Sequence, residues 1–272
     1  MTRTTAGIAL AATMHDPEAV LAREIERWLP RLLPLYARVY VASSPPTSPR
    51  IRELLHAHGV DAGAPPSNTR GPLYRLSLRR ALASGAERIH YLDFDRALHW
   101  VATRPAELTA LLTRARRHSK LLVGRTRRAH ASHHEALFAT EVDTAEQFAA
   151  RLRLATPLDF LVPSFVLDRA TTTRFLARTR AIGSTMYGEW AALLAGLLPL
   201  AYVECDGLDW ETPDRYREEV RRVGRAAWRR AASTDAEWAM RRAMAREFVA
   251  GCDRALQRRP LRGRPAIRRV SL

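Results

Sequence analysis

Asp93 and Asp95 flank Phe94 directly after the apolar run Ile89-His-Tyr-Leu92. Residues two apart in extended chain point the same way, so a strand ending here sets both carboxylates on one side. Two such acids suit a hard divalent cation, Mg2+ or Mn2+, which takes oxygen ligands and is commonly shared between protein carboxylates and substrate phosphates. A cation so held neutralises a diphosphate and stabilises the charge that gathers on it as a leaving group. Position adds weight, because open parallel sheets bind ligands beyond the carboxyl ends of their strands. The plainer reading is a pair of solvated loop acids.

Other residues also have types suited to chemistry. His99 and Trp100 follow the acids closely and fit either a ligand pocket or local packing. In the cluster His130, His133, His134 and Glu135, a helix would bring His130 and His134 to one face, as zinc requires. The order His-Glu-x-x-His is absent, so solvated surface or substrate-loop contacts are the better expectation. From Arg215 onward, 17 arginines stand against 6 acids, with Trp228, Trp238 and Phe248 interleaved. Helices packed over a sheet with an arginine-rich exterior would read this way, and so would an interfacial helix on anionic membrane. No recognition motif supports specific nucleic-acid binding.

These residues need a scaffold, and the first half supplies one by alternation. Gly7 to Thr13 reads as a buried strand, and Asp16-Pro17-Glu18 opens a helix with an N-cap acid and a first-turn proline. Val39 to Ala42 is a second strand, closed by Ser43-Ser44-Pro45-Pro46. Ser48-Pro49 starts a helix that stops near Gly59, and Val60 to Ala62 is a brief third strand. Leu73 to Ala83 is helical and ends at Gly85. Arg88 to Asp93 is a strand, Pro105 to His118 a helix, and Leu121 to Gly124 a strand. This rhythm implies a parallel sheet with right-handed crossovers. Further on, Asp143 to Leu154 and Thr185 to Ala195 read as helices. Phe160 to Leu167 is a strand or a turn entering one, and Leu200 to Glu204 is a strand. Basic helices fill Pro213 to Leu256. The expected organisation is an α/β domain over 1–212, a basic helical extension over 213–258 and a flexible basic tail over 259–272.

With 272 residues, 47 % of them apolar, the chain can bury a sizeable core. Its formal net charge is +16, and Lys120 is the one lysine, so nearly all the positive charge is arginine. Part of that bias reflects the coding habits of a GC-rich genome; the rest makes a surface that attracts nucleotide phosphates or anionic lipid. Cys205 and Cys252 lack metal-ligand spacing and fit a reducing cytoplasm. The apolar run before Met14 is too short for a signal peptide, and Trp190 to Val203 is interrupted by Gly196 and Pro199. A cytoplasmic protein is expected, with peripheral contact between the basic C-terminus and anionic membrane as the alternative.

A wider pattern is more specific. Asn68-Thr-Arg70-Gly71-Pro-Leu-Tyr-Arg75, then Ala81-Leu-Ala-Ser-Gly85-Ala, then Ile89-His-Tyr-Leu-Asp93-Phe-Asp95 resembles the nucleotide-binding half of GT-A-fold glycosyltransferases, most of all the family-2-like group of nucleotide-diphospho-sugar transferases. The likeness covers residues 7–125 well, 126–210 loosely and the C-terminal portion not at all. It implies a GT-A-like, Rossmann-type α/β fold with a mainly parallel sheet flanked by helices.

The resemblance further implies a metal-dependent glycosyltransferase that moves a sugar from a nucleoside-diphosphate sugar to the hydroxyl of an unknown acceptor. Asp93 would face ribose or metal and Asp95 would ligate Mn2+ or Mg2+. Arg70, Gly71 and Arg75 would lie near the diphosphate or base loop, and Thr13 and Ser43 would cradle base and ribose. Gly188-Glu189-Trp190 would supply the catalytic base, Glu189, and a ring, Trp190, for stacking on a sugar. The plainer reading of that pair is a capping glutamate beside a core tryptophan. Two departures stand out. Trp190 replaces the second acid of the usual Glu-Asp pair, and no histidine follows His134, so Asp206 or water would complete the metal shell. Two other readings stay open. A sugar nucleotidyltransferase would carry a glycine-rich loop where this chain has Ala12-Thr-Met-His-Asp16. A non-catalytic scaffold would keep the fold and use its basic surface.

Overall fold

The computed structural model describes residues 7–65, 67–197, 199–261 and 263–272. In chain order the elements are β1 (Ile8–Met14), α1 (Ala22–Leu32), β2 (Arg38–Ser43), α2 (Pro49–Ala57), α3 (Pro72–Ala83), β3 (Arg88–Tyr91), α4 (Phe94–Thr103), α5 (Pro105–Ala115), β4 (Lys120–Arg125) and α6 (Arg127–Ala131). There follow α7 (Glu135–Leu152), β5 (Phe165–Asp168), α8 (Arg169–Leu176), α9 (Thr185–Ala195), β6 (Leu200–Cys205), α10 (Arg217–Val223), α11 (Arg225–Ala231), α12 (Asp235–Arg258) and β7 (Ile267–Arg269).

The strands form one sheet in the order β2-β1-β3-β5-β4-β6-β7. All neighbours are parallel except β5, which runs antiparallel to both β3 and β4. Every residue of β1 is buried, as a central strand covered on both faces must be. One face packs against Ile25 and Leu29 of α1, Trp100 of α4 and Leu111 of α5. The other receives Leu78 of α3, Phe175 of α8, Trp190 of α9 and Phe248 of α12. α12 lies directly on α9: a Cβ on Gly188 would strike the backbone at Phe248 and Cys252, and one on Gly251 would strike Thr185.

Several sequence expectations need correction. Asp16 does not open a helix; its carboxylate accepts the amides of Val20 and Leu21, and α1 begins only at Ala22. The third strand expected at Val60–Ala62 is a single bridge between Asp61 and Tyr40. The tail expected over 259–272 adds the edge strand β7, where the Val270 amide donates to the Tyr202 carbonyl and Arg269 pairs with Glu204 at 2.8 Å. The basic helices exist; of their aromatics, Phe248 is buried against α9 and the Trp238 ring packs under Arg242. No described helix is long and apolar enough to cross a membrane.

Candidate functional site

A cleft of about 420 Å3 opens where β1 and β3 end. The strand does not carry both acids in extended form. β3 stops at Tyr91, Asp93 is the N-cap of α4, and Asp95 sits in that helix's first turn. Acids are favoured at both places by the helix dipole, which ends the strand early. Both carboxylates still line the cleft. Thr13 Oγ1 donates to Asp93 Oδ1 at 2.9 Å and Tyr91 Oη donates to the same oxygen at 3.1 Å. Burial, and then the charge of Asp95, push the Asp93 carboxyl up to about 6. Asp95 is held by the Arg96 amide at 2.9 Å and by Arg215 Nη2 at 2.5 Å.

This donor set fits a divalent cation. An acid whose charge is opposed by burial and by a second acid is stabilised by a cation between them. Among the described residues no group of three or more His, Cys, Asp or Glu could hold a metal. Phosphate and water would have to complete the shell of any cation held by the two aspartates, the usual Mg2+ pattern. Asp206 does not join them; it pairs with Thr126 and Arg128.

The other predicted residues divide. Thr13 and Arg70 line the cleft with the acids. Ser43 is fully buried, and its neighbour Ser44 reaches the cleft instead, its Oγ 2.7 Å from His15 Nδ1. Gly71 (φ +90°) turns the chain into α3 so close to the Ala181 carbonyl that no Cβ would fit. Arg75 Nη1 donates to that same carbonyl at 2.9 Å and so supports the turn rather than lining the cleft. Glu189 is also removed from it. Its carboxylate is buried, accepts the Arg180 and Ala181 amides at 2.9 Å each, and pairs with Arg258 at 2.6 Å. Glu189 thus anchors the 180–181 segment, which in turn seats Gly71 and Arg75. Trp190 lies in an aromatic nest of Tyr74, Tyr91, Phe165 and Phe175, with ring centroids 5.2 to 5.7 Å away, and presents no face for a sugar.

A second cleft of about 540 Å3 adjoins the first; Arg70 and Asp93 line both. One wall is the segment 206–216 that follows β6, and α4 holds it. Asp95 binds Arg215, Arg96 lies 3.2 Å from Glu211, and His99 is clamped between Asp209 at 2.8 Å and Asp214 at 2.6 Å. Burial opposes charge on His99, but the two carboxylates outweigh it and hold the imidazolium up to about 9. The Glu107 carboxylate accepts the Asp206 and Gly207 amides at 2.8 and 2.7 Å. Trp210, on this segment, packs on Trp228 of α11 with centroids 5.0 Å apart. His133 and His134 also line this cleft; His130 belongs to α6 and His134 caps α7, so His130 and His134 do not share a helix face. As site residues, Arg215, His15 and the 207–216 part of the wall escape sequence reading. Arg215 is hidden among neighbouring arginines, and the wall has no motif.

No protein-family model matches this chain, and no curated protein matches it at a significant level. Solved structures do. The crystal structure of glucosyl-3-phosphoglycerate synthase from Mycobacterium tuberculosis in complex with uridine diphosphate is similar over 91 % of this chain and 80 % of that one, at 17 % identity and a TM-score of 0.50. The same enzyme with Mn2+, uridine diphosphate and glucosyl-3-phosphoglycerate matches over 73 % and 70 %, at 18 % identity and a TM-score of 0.50. With Mn2+, uridine diphosphate and phosphoglyceric acid the match covers 70 % of this chain and 63 % of that one, at 18 % identity and a TM-score of 0.48, so there the chain spans less than two thirds of the other's length. Similarity at this level is one of fold. The chain has the α/β fold of GT-A glycosyltransferases.

Proposed function

We propose that this chain is a metal-dependent glycosyltransferase, binding a nucleoside-diphosphate sugar in the first cleft and an acceptor hydroxyl in the second. The observation that carries this reading is the convergence of Asp93 and Asp95 with Arg70 and Arg215 on one cleft at the sheet's carboxyl edge. Similar folds that crystallise with Mn2+ and uridine diphosphate support it.

Asp93 and Asp95 would hold Mn2+ or Mg2+, which supplies positive charge to the departing diphosphate. Thr13 and Tyr91 fix the orientation of Asp93 by donating to a single oxygen. Arg215 pairs with Asp95; with a cation on that carboxylate its guanidinium would be available to phosphate oxygens, as Arg70 is placed to be. His15 and Ser44, which line the same cleft, would meet the nucleoside. In the transfer, the bond from the anomeric carbon to the diphosphate oxygen breaks and its electron pair stays on the diphosphate. The acceptor oxygen bonds that carbon and releases its proton to solvent. Glu189 has no part in this reading, because its carboxylate already serves two amides and an arginine.

Calorimetry with uridine and guanosine diphosphates, with and without Mn2+, tests the proposal. Binding of at least one should require Mn2+ and should weaken more than about tenfold in Asp95→Ala, the loss of one charge-assisted contact. Absent or metal-independent binding would instead favour a non-catalytic scaffold. Slow Mn2+-dependent hydrolysis across a panel of sugar nucleotides then identifies the donor.

A further inference from the structure

We propose that the second cleft takes a neutral saccharide, rather than a phosphorylated or carboxylated acceptor, against an aromatic wall; this rests on the donor reading above. Three observations converge on it.

The first is charge. In a chain of net charge +16, the described residues lining this cleft include three arginines, Arg70, Arg96 and Arg241, against five carboxylates. Two of these arginines are already matched, Arg96 with Glu211 at 3.2 Å and Arg241 with Glu237 at 2.6 Å. Burial, and then nearby arginines, hold His133 and His134 toward their neutral forms. Three of the carboxylates are matched as well, Glu211 and Glu237 by these arginines and Glu141 by Arg125, so an anionic acceptor would meet Arg70 together with Asp93 and Glu219.

The second is hydrogen-bond polarity. Of the buried polar atoms at this cleft, Arg96 Nη1 and Glu211 Oε2 face each other at 3.2 Å, which leaves His133 Nε2 without a partner. His133 Nδ1 faces the Ala129 carbonyl at 3.1 Å and must donate to it, so Nε2 of the neutral ring is an acceptor. The open position at this cleft is thus an acceptor. A hydroxyl group donates to it; ionised phosphate and carboxylate oxygens only accept and leave His133 unserved.

The third is shape. Trp210, Trp228 and Tyr216 form a continuous run of rings, with centroids 5.0 and 5.7 Å apart, and Tyr216 at the outer end is 44 % exposed. A pyranose presents a face of C–H groups that stacks on such a ring, and the His133 ring lies beside Trp210, centroids 6.4 Å apart, within the same cleft.

Tryptophan fluorescence and saturation-transfer NMR on the full chain with Mn2+ and uridine diphosphate test this. The probes are glucose, mannose, galactose, maltose and trehalose, set against 3-phosphoglycerate and glycerol 3-phosphate. At least one neutral sugar should bind saturably. Trp228→Ala should weaken it about tenfold and Trp228→Phe should recover most of the loss. Tyr216→Ala, at an exposed position, gives a second reading that does not risk the fold. The phosphorylated probes should bind worse than the best sugar. Binding of the phosphorylated probes alone, of none of the probes, or of sugars equally well by Trp228→Ala and Tyr216→Ala would overturn the proposal. The donor reading fails separately, through loss of Mn2+-dependent nucleotide binding in the unmodified chain.

Discussion

Arg215 Nη2 lies 2.5 Å from Asp95 Oδ2, so an arginine occupies the carboxylate that the proposed cation needs. Replacing it should therefore move two affinities in opposite directions. In Arg215→Met, Mn2+ alone should bind several-fold more tightly, because its competitor is gone. Uridine diphosphate with saturating Mn2+ should bind about tenfold more weakly, because a phosphate donor is gone. Mn2+ titration by electron paramagnetic resonance and nucleotide calorimetry read the two effects. Equal loss of both affinities would argue that Arg215 serves only to hold the 206–216 wall.

Glu189 separates two roles cleanly. As an anchor of the 180–181 segment, Glu189→Gln should lower stability by about 1.5–3 kcal/mol, the worth of hydrogen bonds to a charged group. Chemical denaturation measures this, and Mn2+-dependent nucleotide binding should persist in the folded variant. A variant of unchanged stability that had lost only turnover would restore Glu189 as the catalytic base.

Arg125 is 4 % exposed and holds Asp159 at 2.7 Å and Glu141 at 2.5 Å. Arg125→Met strands two buried carboxylates and should cost about 3–5 kcal/mol. Burial alone would raise Glu141, but Arg125 outweighs it and draws that carboxyl down to about 2. A depressed acid stabilises the fold above its unfolded value and loses that contribution as pH falls toward 2. The acid unfolding midpoint should therefore rise in Arg125→Met, as followed by circular dichroism.

His99 works with the opposite sign. Both of its ring nitrogens face carboxylates, which requires the doubly protonated ring. Held up to about 9, it contributes fully below its unfolded value and loses that contribution as pH climbs through 9. The contribution is about 3 kcal/mol at most. The Tm of the parent chain should fall between about pH 6.5 and pH 9.5 by more than that of His99→Gln. Parallel curves would remove His99 as the clamp on the segment that carries Trp210, Glu211 and Arg215.

The sequence by itself determined the alternating strands and helices, because local propensity, caps and apolar periodicity set them. It also placed Asp93 and Asp95 at a strand's carboxyl end, although the early start of α4 lay below the resolution of pattern reading. Long-range packing decided the rest. Glu189 and Trp190 match a motif by spacing, yet whether an acid faces a cleft or two amides depends on the turn at Ala181 and on Arg258, 69 positions away. Ser43 and Ser44 are indistinguishable in sequence; the side on which β2 ends chose between them. Arg215 acquires meaning only through Asp95, 120 residues earlier, since an ion pair is a property of two places in space. β7 looked like a tail because three residues, two of them exposed, carry little burial pattern of their own, and the open edge of β6 gave them a partner.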